Sequence, residues 1–152
     1  MTLQPARLIA NGFGVGLVPV AAGTAASAVA TLVGAGLMLI SPTLLAIAAV
    51  AATVGGIWAI RHVRIEGDPG WVVIDEYAGQ FITLLGLAHV TAAGLLLAFV
   101  LFRLLDITKL GPVGWADRQH GPFGIIGDDV IAGLIAAALL IAIQSIWPTL
   151  LA

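Results

Sequence analysis

Six carboxylates in three tight groups are where this sequence could do chemistry: Asp68, Asp75 and Glu76, then Asp106, then Asp128 and Asp129. With Glu66 and Asp117 they make up every acid in the chain, all inside residues 66–129. No cysteine is present, so thiolate nucleophiles and thiolate metal sites are excluded. Clustered oxygen ligands without sulfur suit a hard cation, Mg²⁺ or Mn²⁺. Neighbours on a helix point about 100° apart, so Asp75 and Glu76 are not expected to face one ion together. One would be a ligand, and the other would steady it or act as general base. Arg103, Asp106 and Lys109 recur every third residue and share one helix side. Alone they read as an ion pair plus a snorkelling lysine. Beside a carboxylate layer the two cations are fit to hold phosphate oxygens. His120, in a Gly-rich loop, could serve as a general acid, although a lone loop histidine is more often merely solvated. His62 and His89 have no companions of this kind.

These groups are set in a chain that is otherwise apolar. Of 152 residues, 61% are hydrophobic and 9% charged, against roughly 45–50% and 25% in soluble domains. A domain of this size cannot hide that excess in a core. The fold class expected is all-α, an integral membrane helical bundle of a single domain over 1–152. A charged side chain at the bilayer centre costs at least about 2.5–3.5 kcal/mol, so retained acids imply use. Capping is the competing explanation. Acids are favoured in a first helical turn, and one Asp of 128–129 could cap a helix beginning at Val130. Capping does not need the second acid of either pair. The net charge of −2 gives no footprint for nucleic acid.

About five apolar helices can be read in order. A Gly-rich segment from Leu3 to Val20 precedes them and packs on other helices or the membrane surface. It loosely imitates a signal peptide, but Asn11, Gly12, Gly14 and Gly16 interrupt the apolar run. The spans expected are Thr24–Ile40, Pro42–Ile60, Trp71–Leu87, Thr91–Leu105 and Val130–Trp147, with 111–127 as a polar loop. Trp71, Trp115 and Trp147 fall at span ends, where indoles favour the interface. With Arg7 in the cytoplasm, five crossings keep Arg61, Arg64, Arg103, Lys109 and Arg118 there as well. The three acidic groups then share the cytoplasmic ends of their helices.

Taken together, six blocks resemble the phosphatidylglycerophosphatase A family over nearly the whole chain. They are GFGVGL (12–17), AGTAAS (22–27), DPGWVVIDEYAG (68–79), FRLLDITK (102–109), Asp117-Arg118 and HGPFGIIGDDVIAG (120–133). The resemblance implies a Mg²⁺-dependent enzyme of the bacterial inner membrane. It would hydrolyse phosphatidylglycerophosphate to phosphatidylglycerol and inorganic phosphate. Carried residue by residue, it implies Asp75, Glu76, Asp106 and Asp129 as catalytic, with metal bound by Asp68, Asp75, Glu76, Asp128 and Asp129. Thr24, Ser27, Arg103, Lys109, Arg118 and His120 would contact the substrate. Thr24 or Ser27 also leaves open a covalent route. Homo-oligomerisation is left open too. Ala22, Leu110 and Pro122 stand where the family has Pro, Pro and Gly, which touches loops and no carboxylate.

Two other classes compete. A cation transporter or channel component also uses intramembrane acids, but it disperses them through the bilayer and often shows inverted repeats. Neither feature is present. A CDP-alcohol phosphotransferase would carry its own Asp-Gly…Ala-Arg motif, which is absent.

Overall fold

The computed structural model describes residues 5–64 and 69–151. Asp68 and Glu66 lie outside the described residues. Seven α-helices make up the described chain: α1 (Pro5–Ala10), α2 (Ala22–Ile40), α3 (Pro42–Val63), α4 (Ile74–Leu84), α5 (Ala92–Thr108), α6 (Pro112–Asp117) and α7 (Pro122–Ile146). A 3-10 turn over Gly12–Leu17 joins α1 to α2. Among the described residues no strand occurs.

Local signals explain several boundaries. The Ser41 hydroxyl accepts the Thr43 N–H, and Pro42 occupies the first turn of α3, where a missing N–H costs nothing. The Thr91 hydroxyl accepts the Gly94 N–H at 3.1 Å to start α5. α7 differs from its expected bounds. It begins at Pro122, eight residues before Val130, because that proline is preorganised for a first turn. Asp128 and Asp129 therefore lie inside α7 and cap nothing. Part of the expected 111–127 loop is likewise helical, as α6.

α2, α3 and α7 are long and apolar enough to cross a membrane. The stretch expected as a third span condenses to α4, an 11-residue helix. At 1.5 Å per residue it covers about 16 Å, half of a ~30 Å hydrocarbon core. α4 is instead the buried axis of the bundle, packed by α2, α3, α5 and α7. Val73 N–H donates to the Ala10 carbonyl at 2.9 Å, and the Tyr77 hydroxyl donates to the Gly12 carbonyl at 3.4 Å. These bonds fasten the amino-terminal segment to the start of α4. At the other end, Gln144 of α7 accepts the Ala88 N–H at 2.8 Å and donates to the Gly86 carbonyl at 2.7 Å. The α4–α5 turn is thereby tied to α7, and α5 returns antiparallel to the starting level.

α4 and α7 approach as closely as backbones can. A Cβ on Gly79 would lie 2.6 Å from the Asp129 carbonyl oxygen, and one on Gly133 would strike the Gly79 carbonyl. Such small-residue contacts let packing alone hold membrane helices together. Gly133→Ala should therefore wedge the helices apart and cost about 2 kcal/mol, read as thermal unfolding in detergent. Gly36→Ala is the control, since a Cβ there meets open space. It should be neutral or slightly stabilising, given the higher helix propensity of alanine. Equal behaviour of the two variants would contradict the close crossing.

Candidate active site

The α4–α7 crossing sets the first turns of α4 beside the second turn of α7, and α5 delivers its last turn to the same level. Asp75 and Glu76 come from α4, Asp106 from α5, Asp128 and Asp129 from α7. Together with Arg103 and Lys109 they line a cavity of about 410 Å³. Its opposite wall is Val18, Pro19, Ala21, Ala22 and Gly23, from the turn into α2. Asp75, Asp106, Asp128 and Asp129 are all buried. The sequence expectation that three acidic groups share one layer describes this arrangement, apart from Asp68.

Two overlapping sets of oxygens form within the cavity. Asp75, Glu76 and Asp129 each place a carboxylate oxygen within 4.8 Å of the others, as do Asp106, Asp128 and Asp129. Asp75 and Glu76 therefore do converge, contrary to the expectation from their 100° separation. The extra methylene of Glu76 gives it reach that a second aspartate would lack. Gly23 makes room for this glutamate, because a Cβ there would collide with its carboxylate.

The cations are held by acids. Arg103 Nη1 pairs with Asp106 and lies 3.9 Å from Glu76 Oε1, while its Nη2 reaches the Thr24 hydroxyl at 3.4 Å. Lys109 Nζ pairs with Asp128, with Asp106 at 3.0 Å and with Asp117 at 3.5 Å. Lys109 ends α5 in the left-handed region, φ 49°, which costs a non-glycine residue about 1 kcal/mol. That turn aims its side chain back at three carboxylates. Burial pulls the Lys109 pKa down, but hydrogen bonds and charge from Asp128 and Asp106 outweigh it and hold the ammonium well above its ordinary range. Lys109 stays charged at neutral pH and is no general base.

Other expected contacts fall elsewhere. Ser27 is fully buried one turn into α2 and donates to the Gly23 carbonyl at 2.9 Å. It does not line the cavity, because its hydroxyl is turned along its own helix. Arg118 is exposed and does not line it either. His120 is exposed and borders a separate 150 Å³ cleft that meets the main cavity only at Asp128. Sequence reasoning missed Gln80, one turn beyond Glu76, which is fully buried. Its amide, Glu76 Oε2 and Arg103 Nε find no hydrogen-bond partner among the described residues. It also missed the role of Asp117, whose signal was the Asp117-Arg118 pair.

The donor set fits a hard divalent cation. Five carboxylates surround two cations, the ligands are all oxygen, and the orphaned Glu76 oxygen is a buried acceptor awaiting a partner.

An acid-lined cavity at one end of an apolar helical bundle defines an integral membrane protein with a buried acidic site. The particular family follows from comparison. The family model described as Phosphatidylglycerophosphatase A matches residues 8–144, and the chain belongs to that family. It is 34% identical to phosphatidylglycerophosphatase A of Escherichia coli strain K12, over 95% of this chain and 87% of the relative. To the Haemophilus influenzae protein of the same name it is 34% identical, over 93% and 90%. A Bacteroides thetaiotaomicron relative, 35% identical over 88% and 89%, is named as a candidate phosphatidylinositol-3-phosphatase. No solved structure matches the chain. Membership makes the chain a phosphatase, and no match supports the transporter alternative.

Crowded acids destabilise the metal-free protein, so Asp129→Asn should raise its melting temperature in EDTA by a few degrees. The same variant should lose most of the further rise that millimolar Mg²⁺ gives the wild type. Thermal unfolding with and without metal reads both effects. An undiminished Mg²⁺ shift in Asp129→Asn would remove that residue from the cation site.

Proposed function

We propose that the acid cavity is the centre where this phosphatase hydrolyses phosphatidylglycerophosphate to phosphatidylglycerol and inorganic phosphate, using Mg²⁺. The observation that carries the reading is the convergence of Asp75, Glu76, Asp106, Asp128 and Asp129 around Arg103 and Lys109 in one cavity. The family relatives supply the substrate by their names. Both oxygen groups, sharing Asp129, would hold the metal, and Asp68 remains a further candidate ligand. When bound, Mg²⁺ would offset phosphoryl charge and assist activation of water.

The chain's own residues do the rest. The Arg103 guanidinium, steadied by Asp106 and Thr24, presents planar donors to the phosphate oxygens. Lys109 is engaged by three carboxylates, so its main part is to fix Asp106 and Asp128 at short range. A carboxylate left free of these pairs accepts the proton of the attacking water. The water oxygen bonds to phosphorus, the bond from phosphorus to the glycerol oxygen breaks, and that oxygen takes up a proton to leave as the alcohol. Val18, Pro19 and Ala21 give the cavity an apolar rim, suited to a substrate anchored in lipid.

Orientation follows from charge. Arg61 and Arg64 end α3, and Arg103, Lys109 and Arg118 lie at or near the site end, which under the positive-inside rule supports a cavity facing the cytoplasm from the inner membrane.

Phosphate release from phosphatidylglycerophosphate by purified protein in detergent tests the reading, with Mg²⁺ or EDTA and with phosphatidylinositol 3-phosphate as comparison. Release should need Mg²⁺ and favour phosphatidylglycerophosphate. Asp75→Asn and Arg103→Ala should each lower kcat by about a hundredfold or more. Full activity in EDTA would overturn the metal, and faster release from the inositol lipid would overturn the substrate.

A further inference from the structure

A cavity larger than the acid site lies on the other side of α4, and the activity proposed above makes no use of it. It is a groove of about 590 Å³ bounded by the 3-10 turn, α2, α3 and α4. Ile74, Tyr77 and Phe81 line it, on the face of α4 that points away from Asp75 and Glu76. Val33 and Leu37 of α2 form a second wall. From α3 the groove meets only alanines and Gly55, so the cleft exists because that helix presents almost no side chain.

Its surroundings decide what fills it. α2 and α3 are both long and apolar enough to cross a membrane, so the gap between them faces hydrocarbon. The lining offers no set of polar partners that would hold water. Left empty, the walls would forfeit their dispersion contacts. A hydrocarbon chain is the filling that both conditions allow.

Position then decides whose chain it is. Gly12, Phe13 and Val15 wall the groove, and Val18, Pro19 and Ala21 of the same short segment wall the acid cavity. On α4, Ile74 faces the groove and the adjacent Asp75 faces the cavity, so the two spaces are about one helix diameter apart, roughly 10 Å. Resting on the function proposed above, we propose that this groove seats one acyl chain of the same phospholipid whose phosphomonoester occupies the acid cavity. The chain is then a second recognition element, and it orients the headgroup across the turn into α2.

Gly55→Leu tests this, because a Cβ at Gly55 meets nothing within 4 Å and the longer side chain would fill the groove without moving backbone. Phosphate release would be measured on dioleoyl and dihexanoyl phosphatidylglycerophosphate in mixed micelles with Mg²⁺. The bilayer itself is apolar, so the gain from the groove is packing alone and should be modest. Gly55→Leu should raise KM for the dioleoyl lipid about fivefold, leaving its kcat and both constants for the dihexanoyl lipid unchanged. Gly36→Leu, the same change where a Cβ also meets open space, should alter neither. If Gly55→Leu does not fold, Ala51→Leu, at an exposed groove position, replaces it with the same expectation. Unchanged chain-length dependence, or an equal loss on both lipids, overturns the groove as a substrate site. A different phospholipid retained through purification by the wild type and lost from Gly55→Leu would identify a resident bilayer lipid and also overturn it. No release by the wild type from either lipid overturns the underlying activity, which the other outcomes leave standing.

Discussion

The backbone contact between α4 and α7 is the constraint on which the rest depends. Gly79 and Gly133 face one another without side chains, and just past the end of α4 Gly86 lies against the backbone of Ala137. A helix of 11 residues cannot anchor itself in a bilayer, so α4 keeps its place only by being surrounded. The glycine contacts bring the α4 carboxylates to α7, and Gln144 fixes the far end so that α5 returns to the same level. Asp106 then meets Asp128 and Asp129, all three carried on helices. Sites on rigid helices hold closer tolerances than sites on loops, which suits chemistry that depends on positioning and charge.

Carboxylates outnumber cations in the cavity. Arg103 and Lys109 pair with Asp106 and Asp128, which offsets part of the acidic charge and leaves Asp129 and the second oxygen of Glu76 without a cation partner among the described residues. Buried charge of one sign is tolerated only where function returns the cost. A divalent cation would offset part of the excess negative charge that five carboxylates leave beside two cations. The same reasoning explains Lys109 in its left-handed turn, where local backbone cost is accepted to set one ammonium among three carboxylates.

Much of this was legible in the sequence. The acids stand out because all eight fall inside residues 66–129 of an otherwise apolar chain, and their spacing along apolar helices implied one shared layer. The helical membrane class followed from composition alone. What stayed hidden had tertiary causes. α4 carries the hydropathy of a span over 71–87, and only its burial by four neighbours shortens it to half a bilayer. The early start of α7 turned on Pro122, read as a loop residue when it was a first-turn residue. Gln80 and Ser27 are polar side chains in apolar helices, and periodicity cannot tell a buried amide left without a partner from a hydroxyl that bonds its own backbone. The convergence of Asp75 and Glu76 depended on Gly23 of a distant helix, which no local spacing encodes.

The central claim is that one close helix crossing assembles acids from α4, α5 and α7 into a single metal and phosphate site. Electron paramagnetic resonance of Mn²⁺ bound to the purified protein, with a non-hydrolysable phosphonate analogue of the lipid, tests it most directly. The wild type should hold Mn²⁺ showing hyperfine coupling to phosphorus. Gly79→Ala, which keeps every carboxylate but parts the helices, should bind Mn²⁺ at least about tenfold more weakly and lose that coupling. Equal binding and equal coupling in the two proteins would contradict the account.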